Sequence, residues 1–119
     1  MSYDIVIKDG LVFDGSGAPR VRGDVGIAGG RVVAIGRVDH RDAARVIDGN
    51  GMHVVPGFVD LHTHYDAQIF WDPYCTLSGW HGITSVAIGN CGFGFAPVTP
   101  EMREYAMRSM VRVEAIPYA

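Results

Sequence analysis

Two histidines, His62 and His64, stand one residue apart in Pro56-Gly57-Phe58-Val59-Asp60-Leu61-His62-Thr63-His64-Tyr65-Asp66. On a strand, positions i and i+2 share a face, with backbones about 6–7 Å apart. Two neutral imidazoles held that way can converge on one metal ion, each through a single ring nitrogen. The run from Val54 to Leu61 is apolar enough for a buried strand. The pair therefore belongs at that strand's C-terminal end, where α/β barrels keep their chemistry. Two hydrogen-bonded histidines in a turn are the plainer alternative, and the flanking Pro-Gly-Phe-Val-Asp and Tyr-Asp favour the metal.

Cys91 lies 27 residues beyond His64, at the exit of the next β-rich run. Parallel neighbouring strands bring their C-terminal ends side by side, so its thiolate can serve as a third ligand. It reads equally well as a small buried apolar side chain. Asp60 shares the face of His62 and can either accept a ring N–H, orienting it, or cap the strand end. Asp66 reads as a loop or helix-cap residue, and Tyr65 and Gln68 as packing residues that could line a cavity. His81 precedes the second strand and reads as structural; His40, His53 and Cys75 lack a ligand partner at useful spacing. Phe70, Trp71, Tyr74 and Trp80 follow no helical period and read as core or cavity wall.

The elements that position these groups come in two styles. Residues 1–55 form short β-rich runs separated by turns, among them Asp24–Ala28 and Arg31–Ile35 around Gly29-Gly30, a hairpin signal. They predict the N-terminal half of a small β-sandwich. From residue 56 to 119 the pattern is a strand (about 57–62), a loop with short helical turns (about 66–82), and a strand over Ile83–Ile88. A helix follows, with Thr99 as N-cap, Pro100 in its first turn, and an apolar face of Met102, Tyr105, Ala106, Met110 and Val113. This predicts the first two β/α units of an incomplete (β/α)₈ barrel, since 119 residues are too few for the roughly 250 of a closed one. The fold class is α/β.

Composition excludes several functions. The net charge is −3, and nine of the ten basic residues are scattered arginines, so nucleic acid is not expected as a partner. The charged N-terminus, with Asp4, Lys8 and Asp9, predicts neither a secretory leader nor a membrane span. Cys75 and Cys91 then predict reduced thiols in a cytoplasm.

The runs Asp4–Gly10, Gly30–Gly36, Val46–Asp48 and Val55–His64 together resemble the N-terminus of the metal-dependent amidohydrolase superfamily. His64–Gln68 with Trp71-Asp72-Pro73, and Trp80–Thr84 through Gly89-Asn90-Cys91-Gly92-Phe93-Gly94-Phe95-Ala96-Pro97, are similar to its N-acyl-D-amino-acid deacylase (D-aminoacylase) branch. The resemblance implies a β-sandwich built from both chain ends around a barrel. It matches His62 and His64 to the first-strand metal pair and Cys91 to a zinc-ligating cysteine. One or two Zn²⁺ ions and a small N-acyl-D-amino acid substrate are implied with them. It also implies that two further histidines and a catalytic aspartate lie beyond Ala119. No catalytic residue is therefore expected within the chain, which reads as an N-terminal fragment, inactive alone. The competing expectations are a hydrolase of hydantoins or dihydropyrimidines, and a non-catalytic β-rich interaction module that self-associates or is complemented by a missing C-terminal part.

Overall fold

The computed structural model describes residues 2–41 and 43–118, which divide into two compact units, Met1–Pro56 and Gly57–Ala119. The first unit is a single sheet of five strands: β1 (Tyr3–Val12), β2 (Val21–Ala28), β3 (Arg31–Gly36), β4 (Ala43–Asp48) and β5 (His53–Val54). Their order is β3-β2-β1-β4, with β5 also paired to β1. Strand β1 is antiparallel to β2, from Ile5 opposite Ile27 to Val12 opposite Val21, and parallel to β4 and β5. Gly29 and Gly30 turn the β2–β3 hairpin with φ of 58° and 72°, values open to glycine without strain. Val6, Val12, Val25 and Val38 are its buried apolar residues.

Asp24 braces a register slip in this sheet. Its carboxylate accepts the backbone N–H of Asp9 (2.9 Å), where β1 slips register, and of Val38 (3.0 Å). Partial burial pushes its carboxyl upward, but these two hydrogen bonds together with the nearby His40 and Lys8 outweigh it, and the net displacement is below the usual carboxylate range. A group depressed in the fold contributes stability above its unfolded pKa and loses it as pH falls through the folded one. Acid titration of wild type and Asp24→Asn followed by circular dichroism should therefore show a steeper loss of sheet stability below about pH 4 in the wild type. Parallel melting curves would contradict this role.

The second unit pairs β6 (Phe58–Asp60) in parallel with β7 (Ile83–Val86). A parallel pair needs a crossover, and it contains two short helices, α1 (Tyr65–Gln68) and α2 (Thr76–Trp80). Both strands are shorter than the sequence predicts. Beyond Asp60 the side chain competes for the ladder, accepting the His62 backbone N–H at 3.0 Å. The last rung is Ala87 N–H to the Asp60 carbonyl, 2.8 Å. After β7 a glycine-rich loop leads to a 3₁₀ turn, Pro100–Met102, and helix α3 (Arg103–Val113).

Three expectations fail here in whole or in part. Thr99 is extended but makes no side-chain cap bond; its carbonyl instead accepts the Met102 N–H at 3.0 Å. The predicted apolar face holds at Met110, 2% exposed, and at half-buried Ala106 and Val113, but Met102 and Tyr105 are exposed. The 3₁₀ start delays the α-helix to Arg103, and both side chains border a groove against Gly92–Thr99. Phe70, Trp71, Tyr74 and Trp80, read as core or cavity wall, are exposed and not core, and only Phe70 and Trp71 meet the cavity-wall reading. Phe70 and Trp71 flank an open apolar groove of about 440 Å³ with Met107 and Tyr118, and the short helices supply nothing to cover it. No described helix is long and apolar enough to cross a membrane.

Candidate metal centre

Beyond the C-terminal ends of β6 and β7, two loops are stitched together by side chains. Thr63, between the histidines and only 6% exposed, donates its hydroxyl to the Ala87 carbonyl at 2.6 Å. Asn90 donates its amide to the Leu61 carbonyl at 2.5 Å. Asp66, in the first turn of α1 and buried, accepts the Gly89 N–H at 2.8 Å. A Cβ at Gly94 would stand 3.0 Å from the other Asp66 oxygen, so the loop carrying Cys91 closes tightly over that carboxylate.

His62 and His64 lie past the strand, on this loop. Their rings are parallel, 8° apart in plane with centroids 5.7 Å apart. Cys91, a free half-buried thiol, approaches them from the other loop: one potential ligand atom from each of the three lies within 4.8 Å of the others. In a tetrahedral zinc site with bonds of roughly 2.0–2.3 Å, ligand atoms sit about 3.5 Å apart. Side-chain torsions can close the difference. Two imidazoles and a thiolate form a borderline-soft set that suits Zn²⁺ and fits Mg²⁺ or Ca²⁺ poorly. The donor chemistry fits zinc.

The other sequence candidates fall as follows. Asp60 acts on the His62 backbone, and no hydrogen bond joins it to the ring; its geometry is that of a turn-former. Asp66, expected as a loop or cap residue, does more than cap: it braces the Cys91 loop from a buried position. Tyr65 is buried with its hydroxyl 2.6 Å from Ser78. It and Gln68 line an open cleft of about 260 Å³ beside His64. His81 ends α2, His53 meets Phe13 edge-on at 5.3 Å, His40 is exposed, and Cys75 precedes α2 as a free thiol.

Sequence reading missed Thr63, Asn90 and Glu114. Glu114 Oε1 lies 2.7 Å from His64 Nδ1, across 50 residues of chain. Its one signal was an acid at a helix C-terminus, against the macrodipole. Thr63→Val keeps shape but orphans the Ala87 carbonyl. We expect it to cost about 1–3 kcal/mol and to weaken metal uptake; unchanged melting and unchanged zinc titration would contradict the stitch.

A family model described as amidohydrolase family matches residues 45–111. An N-acyl-D-glutamate deacylase of Alcaligenes xylosoxydans xylosoxydans is 47% identical over 94 residues, 79% of this chain and 19% of that protein. An uncharacterised protein of Mycobacterium tuberculosis is 42% identical over 119 residues, 98% of this chain and 19% of its own length. Among solved structures, the N-acyl-D-glutamate deacylase of Bordetella bronchiseptica, complexed with zinc and a phosphonate inhibitor, matches with a TM-score of 0.75 at 40% identity. That match covers 82% of this chain and 21% of the solved one. The chain thus spans about a fifth of the length of these relatives.

Proposed function

Starting from the fact that the chain belongs to the amidohydrolase family, we propose that it forms the first metal-binding corner of a zinc-dependent hydrolase of N-acyl-D-amino acids. The observation that carries this reading is the convergence of His62, His64 and Cys91 within 4.8 Å. Bound there, zinc supplies a Lewis acid and a water acidic enough to be hydroxide near neutral pH. The chain's own residues bind and orient: His62 and His64 present nitrogens, Cys91 a thiolate, and Thr63, Asn90 and Asp66 hold the two loops at fixed separation. A reducing compartment, the cytoplasm, keeps Cys91 available as a thiol.

None of these residues is assigned the general base. Asp60 and Asp66 each accept a backbone N–H and Glu114 faces His64, so each acid near the metal corner already has a partner. No general base is assigned among the described residues, and the chain spans about a fifth of the length of the deacylases it matches. Its β6 side leaves Phe58, Val59 and Leu61 each more than half exposed. Such a surface favours self-association or pairing with a complementary barrel segment. Size-exclusion chromatography with light scattering should find oligomers of the isolated chain; a monomer across micromolar concentrations would contradict this.

The function is tested by grafting the chain into the Bordetella deacylase in place of the matching segment and assaying N-acyl-D-glutamate hydrolysis. The reading requires zinc-dependent turnover that His62→Ala abolishes. A folded, zinc-loaded chimera that leaves N-acyl-D-amino acids intact would overturn it, and turnover of cyclic amides instead would replace it with the cyclic-amidase alternative.

A further inference from the structure

Glu114 is the C-terminal cap residue of α3, where a carboxylate faces the negative end of the helix macrodipole. Its side chain is only 12% exposed, less than the 46% of the imidazole it meets. Among the described residues its carboxylate has a single hydrogen-bond partner, Nδ1 of His64 at 2.7 Å. The next residue, Ala115, takes a φ of 53°, a left-handed conformation that a residue with a Cβ adopts at the cost of strain. An acid placed against its helix, largely shielded from water and followed by a strained turn is held there by something other than helix stability.

We propose that Glu114 is the positioning residue of His64. It accepts the Nδ1 proton, fixes the imidazole in the Nδ1–H tautomer, and leaves Nε2 with its lone pair for the metal. Glu114 is not itself in the three-donor cluster, so its contribution passes through the ring. A carboxylate behind a ligating histidine locks ring rotation and raises the basicity of the ligating nitrogen. His62 has no such partner among the described residues; its backbone is held by Asp60 and its ring by none of the observed hydrogen bonds. The two histidines are thus unequal: His64 is preorganised and His62 completes the site when metal arrives. This inference rests on the zinc reading above and adds to it which nitrogen binds and what aims it.

The test uses the full chain loaded with zinc, with histidine ring nitrogens labelled by ¹⁵N. Long-range proton–nitrogen correlation should show His64 protonated at Nδ1 and metal-bound at Nε2. Zinc affinity, measured by competition with a chromophoric chelator, should fall about 10- to 100-fold in Glu114→Ala. Glu114→Gln keeps an oxygen acceptor for the Nδ1 proton and should recover most of that loss. A merely structural Glu114 would lower thermal stability without this rescue pattern and without moving the tautomer. If His64 binds zinc through Nδ1, or Glu114→Ala binds zinc as tightly as wild type, the inference is overturned while the zinc site stands. If the wild type takes up no zinc, both fall. The tautomer is read on the unaltered protein, so the test survives a variant that does not fold.

Discussion

Replacing Cys91 with alanine is expected to lower zinc affinity by roughly two to three orders of magnitude. His62→Ala and His64→Ala should do the same. The size follows from the geometry: the three donors are one cluster, and removing any one leaves two ligands and open water. The thiolate matters most for selectivity, because it alone makes the set soft enough to prefer zinc over hard cations. Cys91→Ser should therefore relax discrimination as well as weaken binding. Cys75→Ser is the control, since Cys75 stands at the start of α2, outside the cluster. Competition titration with zinc reads all of these, and variants that bind within twofold of wild type would dismantle the site.

Gly57→Ala is expected to unfold the second unit's strand pair or force it apart. An added Cβ would lie 2.2 Å from Thr84 Oγ1 and 2.7 Å from Thr84 Cβ. Rotating the threonine moves its hydroxyl and methyl, but its Cβ is fixed to the backbone of β7, so the strands themselves must separate. Overpacking of this kind costs about 3 kcal/mol, which should appear as a melting point lower by roughly 10 °C. The double variant Gly57→Ala, Thr84→Gly removes the clash and should regain most of the single-variant loss, beyond what additivity allows. Because His62 and His64 follow directly on β6, the single variant should also lose zinc. A single variant that melts like wild type would show that the two strands are not in this close contact.

The candidate donors are legible at short range, and much of what positions them is not. A His-x-His after an apolar run declares itself because both candidate donors sit within three residues. Cys91 reads equally as ligand or packing residue on spacing alone, and only a resemblance across several spaced motifs favours the ligand. Thr63 carries no sequence signal of its own, and only the fold shows its hydroxyl reaching the Ala87 carbonyl 24 residues on. Glu114 carries only the weak signal of an acid at a helix C-terminus, because its meaning depends on where α3 ends relative to α1. In the first unit the alternating runs announced strands and Gly29-Gly30 announced the hairpin. The parallel return of β4 and β5 onto β1 had no turn signal, since parallel partners are joined through other structure. Tyr105, Tyr74 and Trp80 depart from their reading because apolar character marks what prefers burial, not whether neighbouring elements are there to bury it.

Cobalt makes the central question directly visible. One equivalent of Co²⁺ added to the reduced chain should bind with a near-ultraviolet thiolate-to-metal charge-transfer band that disappears in Cys91→Ser and persists in Cys75→Ser. Cobalt bound by nitrogen and oxygen alone, with Cys91→Ser indistinguishable from wild type, would contradict the account.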